Sequence, residues 1–396
     1  MAATYLTLKP KTQKVAHAWK TGLQTTVTGI EKRSMLFTWP RINLENEFLA
    51  TTNQQINYLK RNIFYYADQL WGIPIWADLT TLTAQAASGQ KNINVVQTAN
   101  RHFYAGRKCI IIDADDFTRY EVATINTLSA VQLVSLANLT ITWPVGSLVL
   151  PCYDCYIAQD QEIGADYQRG QSFVLQASEA YESLRTFTYS APVSGAATYE
   201  GLDLFAFKFL RPLAYHYKRS YELSQFLGLG FRYGKYAAGD NTLGLRGKVI
   251  RETRQEIWDL INFFDSKAGR LTQFWVPTWS KDLVATAAIG AGDTVINTEP
   301  IQYSTHYLPN DIINRYVFIE FPDKTTTCRK ISNAATSTIT LDSAIGKAVA
   351  AGDLTNLLIS FLIQCRFDID ELEIDFTTAT LGQAELSFAG LVGETL

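Results

Sequence analysis

The sequence predicts a mainly β protein with a minor helical share: two tandem β-sandwich units, each carrying one helix and an inserted small β-barrel. Three observations predict it. Of 396 residues, 20 are Tyr and 21 are Phe against two Met, and aromatic side chains favour the pleated, half-buried surface of strands. Short apolar runs recur between Gly, Asn and Asp, the punctuation of strands and turns. A Pro–Trp segment also occurs twice, once in each half, which points to an internal repeat.

The first copy reads Leu70-Trp71-Gly72-Ile73-Pro74-Ile75-Trp76-Ala77-Asp78-Leu79, and the second Phe274-Trp275-Val276-Pro277-Thr278-Trp279-Ser280-Lys281-Asp282-Leu283. Both run Trp, one or two residues, Pro, one residue, Trp, with Asp-Leu soon after. The order continues downstream, where Gly89 and Ile93 answer Gly292 and Ile296. It continues upstream too, where apolar residues at helical spacing lead into each Pro–Trp segment. Three matches in one order divide the chain into a unit over 1–185, a Ser-, Ala- and Thr-rich linker over 186–198, and a second unit over 199–396.

Each unit opens on a strand, Met35 to Trp39 in the first and, less clearly, Thr242 to Arg246 in the second. An amphipathic helix follows, about Thr52 to Ala67 and about Arg251 to Lys267. The Pro–Trp segment comes next as an extended, edge-like stretch, because proline cannot donate to a central ladder. Evenly spaced short strands then mark the inserted barrels, about 90–150 and about 290–365. In the first these are Lys108–Ile112, Tyr120–Ile125 and Ala130–Leu133; in the second, Tyr316–Glu320, Thr327–Ile331 and Ser337–Leu341. Alternating strands close the second unit at Glu371–Phe376 and Gln383–Phe388.

Charged residues make up 18% of the chain, less than the usual quarter, so part of the surface is expected to lie against partners. The net charge is −3, which argues against a strongly basic grip on nucleic acid. The N-terminal stretch lacks the apolar core of a secretory signal, and no apolar run approaches the length of a membrane span. Five cysteines are too sparse for a disulfide framework, in keeping with a chain made in a reducing cytoplasm.

Candidate chemistry is thin. Cys152 and Cys155 form a lone C-x-x-C without the further ligands zinc takes, so buried strand cysteines are the favoured reading over metal or redox chemistry. Asp113, Asp115 and Asp116 lack the Gly and distal Glu of a calcium loop and read as a solvated turn. His17, His102, His216 and His306 are scattered and form no hydrolase motif, and the glycines over 228–234 lack nucleotide-binding spacing. No catalytic residue, cofactor or metal is expected. The stretch from Glu371 to Phe376 differs in kind: Glu371, Glu373 and Asp375 share one face of a strand. The plain reading is a solvated sheet face. The sharper one is the lining of a channel whose like charge repels passing DNA.

At the doubled Pro–Trp segment the chain resembles the distal tail proteins of long-tailed bacteriophages. The second copy carries the likeness best, where Phe263 to Arg270 lead through a Gly-containing turn into Phe274–Trp279; the closing strands over Thr377–Phe388 also fit. The first copy lacks the Gly-Arg turn. The resemblance implies tube-like sandwich units and a structural virion protein of the tail tip, not an enzyme, assembled in the host cytoplasm. It implies a homo-oligomeric ring joining the tail tube protein to hub or fibre proteins, with DNA present only in passage. Two units per chain favour a trimer with pseudo-sixfold symmetry over a hexamer. The segments around Trp71, Pro74, Trp76, Asp78, Trp275, Pro277, Trp279 and Asp282 are then rigid anchors, with plain core packing as the simpler alternative. A carbohydrate- or receptor-binding module using the barrels is the second functional reading, and a wall hydrolase the third and weakest.

Overall fold

The computed structural model describes residues 4–25, 31–65, 69–158, 162–166, 170–181, 192–210, 213–219, 222–226, 229–233, 241–300, 302–306 and 313–391. It is mainly β. The first half runs β1 (Thr4–Tyr5), β2 (Thr12–Ala18), β3 (Thr21–Thr25), β4 (Glu31–Met35), β5 (Arg41–Ala50), α1 (Asn53–Tyr65) and β6 (Trp71–Pro74). There follow β7 (Thr80–Thr81), β8 (Asn92–Asn94), β9 (Lys108–Ile112), β10 (Tyr120–Ser129) and β11 (Gln132–Ser135). The half ends with β12 (Leu148–Ile157), β13 (Glu162–Asp166) and β14 (Gly170–Glu179).

The second half begins with β15 (Thr198–Tyr199), β16 (Leu202–Asp203), β17 (Ala214–Arg219), β18 (Glu222–Phe226), β19 (Leu229–Tyr233) and β20 (Asn241–Arg251). Helix α2 (Arg254–Ser266), β21 (Phe274–Pro277), β22 (Val295–Asn297) and the short α3 (Tyr303–His306) come next. The chain then forms β23 (Tyr316–Glu320), β24 (Thr326–Ala335), β25 (Thr338–Leu341), β26 (Leu358–Phe367), β27 (Glu371–Phe376) and β28 (Gly382–Gly390).

Eight of these strands make one antiparallel sheet in the order β13-β14-β5-β2-β27-β28-β20-β17. Four come from each half, and the two quartets meet at β2 and β27. The sheet buries one face and leaves the other polar. In β5, Ile42, Leu44, Asn46 and Phe48 are buried while Asn43, Glu45 and Glu47 are not, the period-two pattern of a half-solvated strand.

Against the buried face lies a core shared by both halves. Val15, Trp19, Leu44, Phe48, Trp71 and Phe173 join Leu245, Trp258, Phe263, Phe274, Phe367 and Phe388 in one cluster. Phe205 sits among the second-half rings, 4.8–6.1 Å between centroids from Phe207, Phe263, Phe274 and Phe388. The halves are therefore joined by both a sheet and a core.

Long strands link this layer to the two barrels. Residues Leu148–Cys152 of β12 pair with β9, Cys152–Cys155 with β6, and Cys155–Ile157 with β14. Strand β26 repeats the scheme with β23, β21 and β28 in turn. Around the first barrel β12, β9, β10, β11 and β8 pair in succession, and Leu82 bridges Val95 to close the circuit. In the second, β26, β23, β24, β25 and β22 do the same, closed by bridges from Leu283 to Ile359 and Ala285 to Thr298. Each barrel has its own apolar filling, around Ile93, Ile111 and Trp143 in one and Ile296, Val317 and Ile339 in the other. Thr80 already pairs with Val149, so the first barrel starts before residue 90.

Helix α2 begins on a complete capping box: the Thr253 hydroxyl accepts from the Glu256 amide, and the Glu256 carboxylate accepts from the Thr253 amide. It ends where Ala268 (φ 50°) and Gly269 (φ 62°) turn left-handed, the conformation that glycine tolerates best. A Cβ on Gly269 would meet Asp370 at 2.8 Å. At α1 the Thr52 hydroxyl likewise accepts from the Gln55 amide at 3.2 Å.

One expected strand is corrected. Over Met35–Trp39 only Met35 is strand, the last residue of β4, and the strand before α1 is β5. Pro40 lacks an N–H and has a fixed φ, while Phe37 folds back under the Arg41 guanidinium at 4.5 Å. Of the expected linker, residues 186–191 lie outside the described residues, and 192–197 form neither helix nor strand.

Candidate functional site: the shared sheet and the junction between halves

On the polar face of the sheet, Glu371 and Glu373 are exposed and Asp375 half-buried, alternating with buried Leu372, Ile374 and Phe376. The acids do not stand alone. Lys14 bridges Glu45 at 2.9 Å and Glu373 at 3.3 Å, the Asn43 amide donates to Glu371 at 2.7 Å, and the Gln383 amide donates to Asp375 at 2.8 Å. Burial would raise the Glu45 carboxyl, but hydrogen bonds from Lys14 and Gln176 outweigh it and hold it below its ordinary value. Lys14 is raised, chiefly by its bond to Glu45.

Charge alternates across the sheet. Glu45 and Glu47 in β5 correspond to Arg246 and Lys248 in β20, counted back from the two helices, and Arg246 pairs with Glu385 at 2.7 Å. A surface with acids, Lys14, Arg246 and Lys248 interspersed repels a polyanion less than the acidic stripe in β27 alone would.

The two Pro–Trp elbows have related backbones and different fillings. Pro74 pairs with Cys152 and Pro277 with Leu362, positions that match along β12 and β26. Counting back, Trp71 corresponds to Phe274, both opposite a cysteine (Cys155, Cys365) and both in the shared core. Trp275 therefore corresponds to Gly72. It lies on the opposite face, in a cluster with Leu204, Phe318 and Leu362, and donates to the Tyr199 carbonyl at 3.0 Å. At Gly72 a Cβ would stand 2.1 Å from the Tyr5 ring, so there the neighbouring strand supplies the aromatic.

Trp76 is half-buried and packs, as Tyr5 and Leu79 do, against the cluster of Ile110, Ile112, Leu150 and Cys152. Trp279 adopts φ 56° and packs edge-on to Phe318 at 5.1 Å between centroids.

The two aspartates that follow these elbows do different work. Asp282 serves its own unit, accepting from the Thr278 hydroxyl and from the Phe361 amide, the latter at 2.7 Å; burial raises its carboxyl despite those bonds. Asp78 reaches across the molecule. It is fully buried, accepts from the His102 amide at 2.7 Å and from His102 Nδ1 at 2.5 Å, and pairs with Arg254 at the start of α2. Burial acts to raise it, but the His102 and Arg254 charges prevail and hold it well below the usual carboxylate range.

His102 leads on to His17, with Nε2 facing Nε2 at 2.9 Å. His17 Nδ1 meets Asp265 of α2 at 2.9 Å, and the Trp19 indole donates to the other Asp265 oxygen at 2.9 Å. The Trp258 ring packs against both imidazoles, 4.7 Å from His102 and 6.3 Å from His17.

Two carboxylates and the Arg254 guanidinium thus enclose two imidazoles in a buried cluster whose polar groups face one another, as burial requires. Burial, ahead of the opposing Asp78 carboxylate, pushes His102 below its ordinary value.

His17, Asp78 and His102 come from the first half and Arg254 and Asp265 from the second. Of its members only Asp78 belongs to a segment that the sequence marks; the others are scattered over some 250 residues without a shared motif.

The remaining candidates are structural in setting. All five cysteines are free and buried, and burial pushes the Cys109 and Cys328 thiols up to about 12. Asp113 and Asp116 accept from the amides of Asp115 and Thr118 in a turn. His216 is exposed on β17, and His306 lies on α3 beside Gln302. Among the described residues no group of three or more His, Cys, Asp or Glu could hold a metal ion, and no helix is long and apolar enough to cross a membrane. Neither a family model nor a curated protein matches the chain.

Proposed function

We propose that the chain is a structural ring protein of the tail tip of a long-tailed phage, similar in role to distal tail proteins, acting by assembly and without turnover. One observation carries the reading: the eight-stranded sheet is composed of two successive quartets, β13-β14-β5-β2 and β27-β28-β20-β17, joined edge to edge with a common polar face. A surface that already repeats once within a chain is suited to repeat between chains. Three copies would supply six quartets, matching a sixfold tube on one side and a threefold hub on the other. The polar face, with Glu371, Glu373 and Asp375 among its acids, would then line the passage for DNA.

Light scattering on the eluting peak of purified protein tests this, with class averages of the same sample by electron microscopy. A particle of three chains with apparent sixfold rotational features is expected. A monomer at high concentration would end the reading.

A further inference from the structure

We infer that β17 of one chain pairs antiparallel with β13 of a second copy of the same chain, in the register that sets Ala214 opposite Gly164. The inference rests on the ring reading and names the surface through which such a ring closes.

The sheet contains one junction between quartets, the β2–β27 ladder, and ends in the same two kinds of edge. Strand β17 lies beside β20 as β2 lies beside β5, and β13 lies beside β14 as β27 lies beside β28. Among the described residues, β13 pairs with no strand but β14, and β17 with none but β20. The edge that β2 offers to β27 is thus offered again by β17, and the complement by β13. Because the internal junction joins unlike edges, its repetition is head-to-tail, the kind of contact that closes into a ring. Adding a strand to an open edge satisfies a row of backbone donors and acceptors, and a long edge left open invites uncontrolled association.

The register follows from the internal junction. Lys14 lies opposite Glu45 and Ala214 opposite Arg246, and Glu45 and Arg246 stand at the same distance ahead of their helices. Asp375 lies opposite Gln383 and Gly164 opposite Ser172; these in turn face Ile250 and Leu49, again at matching distances from the helices. Within the chain Lys14 faces Asp375, so Ala214 should face Gly164. Tyr215 then meets Ile163 as Val15 meets Ile374, and His216 meets Glu162 as Ala16 meets Glu373. Ile and Glu recur at both matched positions of β13 and β27.

Burial marks the difference between the occupied junction and the open one. Val15 is 1% exposed beneath its ladder, whereas Tyr215 at the corresponding place is 40% exposed, and Ala214 and His216 are exposed beside it.

A cysteine cross-link in the full chain tests the register. Residues opposite each other in an antiparallel pair lie about 4.5–5.5 Å apart between Cα atoms, within disulfide reach, and the five native cysteines are buried. The double variant Ala214→Cys with Gly164→Cys should, on mild oxidation, give a reducible covalent ladder that stops at the size of the native particle. Neither single variant should do so, nor the off-register pair Ala214→Cys with Ile163→Cys. If the first pair does not fold, His216→Cys with Glu162→Cys reads the same ladder. A native multichain particle without in-register cross-linking overturns this interface and leaves the ring standing. A protein that stays monomeric by light scattering overturns both.

Discussion

Helices α1 and α2 hold the same place in their halves, each following a long strand of the shared sheet and each entered through a threonine cap, yet their surroundings differ. Leu59 and Leu260 occupy the same helical position and are both buried, at 0% and 2% exposure. Around them the helices diverge. Asn57 is exposed where Trp258 is buried against His17 and His102, and Asn53 is exposed where Arg254 reaches Asp78. Helix α2 is wedged against the other half through Trp258 and Arg254, while α1 packs Ile56, Tyr58 and Leu59 against the shared core. The difference teaches that the backbone plan is common to both halves, and that the side chains answer to what stands next to each copy.

The largest effect should come from cutting this contrast at its widest point. Trp258→Ala removes a buried ring from the junction and should cost about 3–5 kcal/mol, whereas Asn57→Ala should stay within about 0.5 kcal/mol. Denaturant midpoints of the two variants measure it. Equal losses would mean that α1 is seated as firmly as α2.

The charge cluster gives a second, smaller contrast, read through pH. His102 has a folded-state value below its unfolded one, so the neutral ring is favoured in the fold. Its contribution is complete above the unfolded value of about 6.5 and is lost as pH falls below that. Asp78 has a depressed carboxyl, so its contribution holds above the unfolded value of about 3.8 and disappears as pH drops further. Thermal melts should therefore fall in two stages on acidification, the first setting in as pH drops below about 6.5 and the second as it drops below about 3.8. His102→Gln should flatten the first stage; an unchanged first stage would remove the cluster as its source.

What the sequence revealed and what it hid divide along the same line. Strands β9 and β23 stand where their short apolar runs place them and β27 where its alternation does, and α2 lies within its expected span, because each of these signals is local. The expected strand at Met35–Trp39 is cut short ahead of Pro40, and the alternation over Arg41–Ala50 marks the strand instead. The acids of β27 were legible as one face. Their partners Lys14 and Asn43 were not, since they lie more than 300 residues away in the chain. The junction was hidden for the same reason: His17, Asp78, His102, Arg254 and Asp265 come together through tertiary packing, and no spacing along the chain announces it.

The smallest effect is the most discriminating. Thr52→Ala and Thr253→Ala each remove a hydroxyl that accepts an amide hydrogen bond at a helix start, a change typically worth about 1 kcal/mol. Equal chemistry should give unequal readouts. Opening α2 exposes Ile257, Leu260, Ile261, Phe263 and Phe264, so it amounts to opening the core, and Thr253→Ala should lower the global midpoint by the full amount. Among the described side chains of α1, Leu59 is buried and Ile56 and Tyr58 pack partly buried against the shared core, whereas α2 buries seven, and an element with fewer buried groups opens more readily on its own. Thr52→Ala should therefore speed amide exchange within α1 and leave the midpoint almost unmoved. A global loss as large as that of Thr253→Ala would show that the two helices are equally embedded, and the contrast between the halves would have to be sought elsewhere than in their neighbours.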